Sequence, residues 1–214
     1  MDDGQRESAD RIRSLIESGR CAPPLFRDLL GGVPPAARDA WVDRVLGLDA
    51  IPEDGPELPR GCVPYLPCPV DALLRLVEHA PVGAPDTFVD VGSGVGRAAA
   101  LVHLLTGASA LGVEVQTPLV SAARALATRL RLPGISFVQG DAADVIPALA
   151  AGSVFLLYCP FSGDRLARLL ERLEPVARAR SISVCCVDLL LPPCRWLEHS
   201  PPPAPDLSIY RSTT

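Results

Sequence analysis

The 214-residue chain is long enough for one domain of ordinary size with a small terminal extension. Hydrophobic residues make up 48% of it and charged residues 21%, a composition that excludes global disorder. The net charge of −5 argues against general binding to nucleic acid or to an anionic membrane surface.

The N-terminal part of the chain predicts a helical cap followed by a proline-rich connection. Amphipathic patterns ending at glycine predict helices over 8–19 and 36–47. Residues 51–69, called the connection from here on, are dense in proline. We therefore assign residues 1–66 to the cap and its connection, and residues 67–214 to the main domain.

From residue 87 onward, short apolar runs alternate with helical ones. This alternation, with strands that are apolar on both faces, indicates a parallel sheet covered by helices. The sequence after residue 188 predicts a closing antiparallel pair within 194–213. Strands are predicted at 87–91, 110–115, 135–139, 153–158 and 182–187, and helices at 70–79 and near 96–106, 117–131, 143–150 and 163–178.

The cysteines, histidines and chain start predict a cytoplasmic protein without a metal site. None of the seven cysteines forms a CxxC pair, and none of the three histidines lies at ligand spacing from a cysteine. We therefore expect reduced thiols. The acidic start, MDDGQRESAD, is the opposite of a secretory signal, and the uncharged stretch 98–113 is too short to span a membrane.

A glycine loop follows the first predicted strand and precedes a helix, where many α/β proteins bind a nucleotide. Its glycines fall at 92, 94 and 96, whereas the dinucleotide pattern GxGxxG would need glycine at position 97. That position is Arg97, which we expect to be a surface charge at the start of the helix. Asp90 would also repel a pyrophosphate in a cleft of low dielectric constant. The loop therefore suits a ligand that carries a cation.

Three carboxylates follow three successive strands, and the carboxyl ends of such strands meet at one edge of a sheet. Asp90 precedes the glycine loop, Glu114 ends the second strand and Asp141 follows the third. S-adenosylmethionine carries an ammonium and a sulfonium and has no phosphate. We expect Asp90 near its ammonium, Glu114 on its ribose hydroxyls and Asp141 on its adenine amino group.

The first three cofactor motifs of class I S-adenosylmethionine-dependent methyltransferases resemble strings in this sequence: VDVGSGVGR, GVEV and GDAAD. Within that family, the Dot1-like branch and its bacterial relatives are most similar to FVDVGSGVGR and GVE. The resemblance covers about residues 65–187. It implies a doubly wound, mostly parallel seven-stranded α/β sheet of order 3-2-1-4-5-7-6, with strand 7 antiparallel. It also implies that VPYLPCP folds over the cofactor. The predicted cofactor-binding residues are Tyr65, Asp90, Gly92, Ser93, Gly94, Gly96, Glu114, Val115, Asp141, Ala142 and Tyr158.

The sequence LLYCPFSG follows the fourth strand, where the substrate-side motif is expected. Amine methyltransferases of this fold often carry Asn or Asp, then Pro-Pro, then Tyr or Phe at this point. Cys159 takes the polar position here, and a thiol is a weak hydrogen-bond partner, so the amine mechanism does not transfer. Tyr158, Cys159, Pro160 and Phe161 are the candidate catalytic residues of an acceptor pocket, and a plain strand-to-helix turn is the alternative.

These features predict methyl transfer from S-adenosylmethionine to a small molecule or a protein side chain. Methyl transfer depends mainly on alignment and desolvation, so the absence of an obvious histidine base does not argue against it. His103 is expected to be packed within its helix. The alternative is a non-catalytic protein that binds S-adenosylmethionine or S-adenosylhomocysteine as a sensor or partner subunit.

Overall fold

The computed structural model describes residues 1–55, 58, 61–201 and 204–213. Within this part of the chain, no helix is both long and apolar enough to cross a membrane. The helices are α1 (Asp3–Glu17), α2 (Pro23–Gly31), α3 (Pro35–Leu46), α4 (Val70–His79), α5 (Arg97–Thr106), α6 (Thr117–Arg129), α7 (Ile146–Ala151) and α8 (Gly163–Ala179). The strands are β1 (Thr87–Val91), β2 (Ser109–Glu114), β3 (Ile135–Gln139), β4 (Val154–Tyr158), β5 (Ser183–Val187), β6 (Leu197–His199) and β7 (Leu207–Ser212).

The strands form one seven-stranded sheet of order β3-β2-β1-β4-β5-β7-β6. Neighbouring strands from β1 to β5 pair in parallel, and β7 runs antiparallel to both β5 and β6. The predicted α/β fold, strand order and antiparallel strand are thus confirmed. The closing pair predicted within 194–213 forms β6 and β7, and the order brings the carboxyl ends of β1 to β5 to one edge.

Helices cover both faces of the sheet, which is why its strands are apolar on both sides. Successive residues of a strand point to opposite faces. Phe88 in β1 belongs to a buried cluster with α4, α5 and α6, whereas Val89 belongs to a second cluster with α8. Asp90 shares the parity of Phe88 and accordingly points towards α5, whose Ala99 backbone contacts it.

Helix α1 packs against α3, α2 packs against α5, and α3 packs against both α4 and α5, so the first three helices share one hydrophobic core with α4 and α5. Phe26, Leu30 and Trp41 are buried in the same cluster as the residues of these two helices. The structure has a helix, α2, at 23–31, which is not predicted from the sequence. This helix begins with a proline pair in its first turn and is followed by Gly32, both of which are ordinary helix-end signals.

Arg97 is a buried residue, so the expectation of a surface charge is wrong. Its side chain is 3% exposed. Its guanidinium donates to Asp39 Oδ1 at 2.8 Å and to Asp43 Oδ1 at 2.5 Å, both in α3, and to the backbone carbonyl of Cys68. The helix start is covered because α3 and the connection pack onto it, so this one cation joins three segments.

The cysteines are free thiols, and His103 packs at the end of its own helix. All seven cysteines are unpaired, as expected for reduced thiols, and Cys185 and Cys186 are buried in β5. His103 Nδ1 lies 2.7 Å from the carbonyl oxygen of Ala108, at the end of its own helix. The expectation that His103 is packed is confirmed.

Candidate active site

A cavity of about 250 Å³ lies at the carboxyl edge of the sheet, beneath the connection. Such a volume suits ligands of small-molecule size. The ends of β2, β3, β4 and β5 supply its walls together with residues 58 and 62–66. The predicted site residues that line it are Tyr65, Gly92, Glu114, Val115, Asp141, Ala142, Tyr158, Cys159, Pro160 and Phe161.

Four predicted cofactor residues lie behind the cavity wall. Asp90 and Ser93 are both 4% exposed, and the side chain of Ser93 faces Gly112 in β2. Tyr65 covers Gly94, and Phe137 of β3 covers Gly96. The sequence pattern identified the loop correctly as a loop, but it could not show which of its residues face inward. These four residues therefore support the conformation of the loop and do not line the cavity.

The glycine loop needs glycine for two reasons, conformation and close approach. Gly92 has φ +80° and Gly94 has φ +51°, a backbone region that other residues rarely adopt. A Cβ atom on Gly92 would lie 2.8 Å from Cβ of Pro160, and one on Gly94 would lie 2.0 Å from a ring carbon of Tyr65. The loop is therefore pressed between the end of β4 and the connection.

Glu114 ties the end of β2 to the glycine loop. Its side chain is buried, with Oε2 accepting from the Gly94 N–H at 2.9 Å and Oε1 accepting from the Gln116 N–H at 2.8 Å. Each carboxylate oxygen has a second lone pair, so the group can accept further hydrogen bonds from a ligand. Because Glu114 also lines the cavity, those acceptor sites are available there.

Asp90 is held in an unfavourable environment for a charge. Burial raises the pKa of Asp90 to about 7, and the nearby charge of Glu114 acts in the same direction. A hydrogen bond from the backbone of Ala99 opposes these effects. A bound cation would favour the ionised form of this carboxyl group, and it would thereby offset the effects of burial and of Glu114 on the pKa.

Tyr65 carries a buried hydroxyl group without a hydrogen-bond partner among the described residues. Burial raises the pKa of this phenol, and the charges of Arg97, Asp43 and Asp90 also act on it. The hydroxyl therefore stays protonated. Buried polar groups usually have a partner, so an unpartnered donor beside the glycine loop indicates a place for a ligand acceptor.

The connection is fastened across the cavity at both of its ends. Gln116 Oε1 accepts from the Gly55 N–H at 2.7 Å, and Gln116 Nε2 donates to Asp54 Oδ1 at 2.8 Å. At the other end, the Val63 N–H donates to the carbonyl of Pro160 at 3.2 Å. Sequence reasoning missed Gln116, although it follows Glu114 by two residues and lines the same wall.

Asp141 forms ion pairs with arginines of α8. Its Oδ2 pairs with Arg165 and lies 3.5 Å from Nη2 of Arg168, while its Oδ1 accepts from the Ala143 N–H at 3.0 Å. Arg165 lines the cavity and was also missed in the sequence. The negative charge of Asp141, at the β3 end of the cavity, is thus balanced by the arginines of α8.

The substrate-side segment after β4 adopts a strained turn beside the end of β5. Tyr158 and Val187 are paired across the two strands, so the next residues, Cys159 and Asp188, are neighbours. Both have positive φ, at +42° and +51°. The Cys159 thiol donates to the carbonyl of Asp188 at 2.9 Å. Asp188 lines the cavity.

Residues 89–181, somewhat less than half of the chain, match the family model described as a methyltransferase domain. No protein of curated function matches the sequence significantly. The structure is similar to that of an RNA methyltransferase from Salinibacter ruber in complex with S-adenosyl-L-homocysteine. The identity is 24% and the TM-score 0.54, over 69% of this chain and 92% of that chain.

A second similar structure comes from work on the conversion of a disulfide bond into a thioacetal group during echinomycin biosynthesis. The identity is 17% and the TM-score 0.52, over 66% of this chain and 81% of that chain. At such identities the likeness establishes the fold alone.

Proposed function

We propose that the methyltransferase domain at residues 89–181, which belongs to an enzyme that uses S-adenosyl-L-methionine, transfers a methyl group to a small molecule or a protein side chain. Kinship with the Dot1-like branch rests on the motif strings alone. The net charge of −5 supports an acceptor other than nucleic acid.

The main support for this proposal is the negative charge at the carboxyl edge of the sheet, where the cofactor would bind. Asp90, Glu114 and Asp141 lie at the carboxyl ends of three adjacent strands, which are spaced by about 4.8 Å. Among the described residues that line the cavity, the one basic side chain is Arg165, and it pairs with Asp141. Such an edge suits a ligand with cationic groups and would repel a pyrophosphate.

The residues present fit S-adenosylmethionine. We propose that Glu114 accepts from the ribose hydroxyls, that Asp141 and Ala142 flank the adenine, and that buried Asp90 offsets the positive charge of the amino-acid end. The unpartnered hydroxyl of Tyr65 would donate to the carboxylate at that end. Gly92, Ser93, Gly94 and Gly96 would shape the loop, with Val115 and Tyr158 on the cavity wall.

When bound, S-adenosylmethionine supplies a methyl group already activated by its sulfonium. The task of the chain is therefore alignment and the exclusion of water. We propose that the connection, tied to Gln116 and to Pro160, closes the cavity from solvent. Residues 1–66 would then act as the cap unit and residues 67–214 as the catalytic unit. Tyr158, Cys159, Pro160 and Phe161 would form the acceptor side.

Replacing Glu114 by glutamine tests the ribose contact. We expect the dissociation constant for S-adenosylhomocysteine to rise about tenfold, because a charged acceptor that bonds ligand hydroxyls is worth roughly 1–3 kcal/mol. Glutamine keeps the size of the side chain and an oxygen for the Gly94 N–H. Calorimetric titration of both proteins measures the effect.

The matched control for this variant is Glu171→Gln, on the exposed face of α8. It should bind S-adenosylhomocysteine as the unchanged protein does. If Glu114→Gln binds with the same affinity as this control, the ribose does not lie on Glu114 and the proposed placement is wrong.

A further inference from the structure

The cavity is lined by a further acidic residue, Asp188, to which the proposed cofactor arrangement assigns no role. The glycine loop follows β1, and Glu114, the proposed ribose contact, ends β2, whereas Asp188 follows β5, beyond β4 in the sheet. Glu114 and Asp188 are thus separated by three strand intervals, or roughly 14 Å. Asp188 stands on the side of the loop opposite the ribose end, where the acceptor would enter.

The backbone of Asp188 is fixed in a conformation that few residues adopt. Its φ is +51°, in the left-handed region, which aspartate and asparagine tolerate better than other non-glycine residues. Its N–H donates to the carbonyl of Asp206 at 2.9 Å, and its own carbonyl accepts from the Cys159 thiol. Asp188 is exposed and lines the cavity.

Among the described residues, no basic side chain forms an ion pair with the Asp188 carboxylate. The ion pairs of the cavity join Asp141 to Arg165 and Arg168. Its charge also acts on neighbouring groups, raising the pKa of Tyr158 and Cys159 in addition to the larger effect of burial. A carboxylate that lines a cavity without such a pair suits a cationic ligand.

Apolar side chains line the same cavity as Asp188. Phe161 is buried against the turn, and Val63 and Leu66 of the connection are 49% and 60% exposed at the cavity. Exposed apolar side chains at the rim of a cavity indicate contact with an apolar part of a ligand. The acceptor side thus combines one carboxylate with an apolar rim.

We propose that the methyl acceptor is a small amine with an apolar body, and that Asp188 binds its ammonium group. This inference rests on the proposed function of the site. The polar side chain that Cys159 does not supply at the end of β4 comes from the end of the neighbouring strand β5. An anionic acceptor, such as a carboxylate or a phosphate ester, would be repelled by Asp188 and Glu114.

The proposed step balances as follows for a primary amine. The ammonium group gives one proton to the Asp188 carboxylate, and the freed lone pair of nitrogen forms the new N–C bond. The methyl carbon's bond to sulfur breaks, with its electron pair left on sulfur. The product leaves as a secondary ammonium ion, and Asp188 returns its proton to water.

Three matched probes test the inference: 2-phenylethylamine, 2-phenylethanol and phenylacetate. Each is titrated calorimetrically into protein saturated with S-adenosylhomocysteine, so that the cofactor site is measured first. We expect the amine to bind at least tenfold more tightly than the alcohol, and phenylacetate to show no binding. In Asp188→Asn the amine should lose at least tenfold in affinity while the alcohol is unaffected, because asparagine keeps the shape and tolerates the positive φ.

The control variant is Asp164→Asn, at an exposed carboxylate in the first turn of α8, which should leave amine binding unchanged. Absence of amine binding to the saturated complex, equal binding of phenylacetate, or an unchanged affinity in Asp188→Asn would each overturn the amine assignment alone. Failure of S-adenosylhomocysteine itself to bind would instead overturn the proposed function on which this inference rests.

Discussion

Replacing Asp90 by asparagine is expected to stabilise the folded protein at pH 8 and to weaken its binding of S-adenosylmethionine more than tenfold. In the folded protein, burial and the charge of Glu114 raise the pKa of Asp90 from 3.8 to about 7. The folded state therefore keeps a proton that the unfolded chain loses near pH 4. By linkage, this residue makes stability fall as the pH rises from about 4 to above 7.

Asparagine removes the buried charge and keeps an oxygen for the backbone of Ala99. At pH 8 we expect a gain of roughly 1–3 kcal/mol in the free energy of unfolding, and at pH 4 little or none. Urea unfolding of the ligand-free proteins at both pH values measures this difference. Asp28→Asn, at an exposed site in α2, is the control and should change stability at neither pH.

The loss of affinity follows from the same charge. A cationic ligand stabilises ionised Asp90, so binding drives off its proton, and the affinity of the unchanged protein should decline as the pH falls below about 7. The Asp90→Asn protein should bind the cofactor weakly, and its affinity should no longer decline as the pH falls. Calorimetry between pH 5.5 and 8 follows both. An Asp90→Asn protein that binds the cofactor as before would rule out the charge match.

Replacing Arg97 by methionine is expected to lower the free energy of unfolding by about 2–4 kcal/mol. The Arg97 side chain is 3% exposed and its guanidinium bonds Asp39, Asp43 and the Cys68 carbonyl, so its loss leaves two neighbouring carboxylates without their countercharge and removes a donor from the carbonyl. Asp39 and Asp43 are partly exposed, at 58% and 34%, and hydration of both keeps the expected cost below that of a fully buried pair.

Urea unfolding measures the cost of Arg97→Met, with Arg178→Met as its control. Arg178 is 74% exposed and pairs with Glu174 within one helix, so its replacement should cost less than about 0.5 kcal/mol. A lysine at position 97 keeps the charge but cannot reach all three acceptors, and should give an intermediate value. If Arg97→Met is as stable as the control, the cation does not join α3 to α5.

The sheet could be predicted because its strands are short, apolar and separated by helical runs. Each of the five predicted parallel strands matches β1 to β5 within one residue at either end. Helix α2 was missed although Pro23 and Gly32 mark its ends, because it is only nine residues long and buries just Phe26 and Leu30. Short helices of this kind depend on the surface they pack against.

The site could be predicted in part, since strand ends in a parallel sheet locate carboxylates without any knowledge of side-chain packing. That rule found Glu114 and Asp141, and it applies equally to Asp188, which directly follows the predicted strand 182–187. The burial of Arg97 could not be predicted, because it depends on Asp39 and Asp43, far away in the chain. Nor could the covering of Gly94 by Tyr65, which depends on the path of the connection.

The most direct test of the account is a parallel calorimetric titration of the protein with S-adenosylmethionine, S-adenosylhomocysteine and NAD. The carboxylates around the glycine loop and the absence of an unpaired basic side chain among the described lining residues predict micromolar binding of both adenosyl ligands and none of NAD. Binding of NAD, or no binding of either adenosyl ligand, would contradict the central claim that this edge of the sheet holds a cationic cofactor.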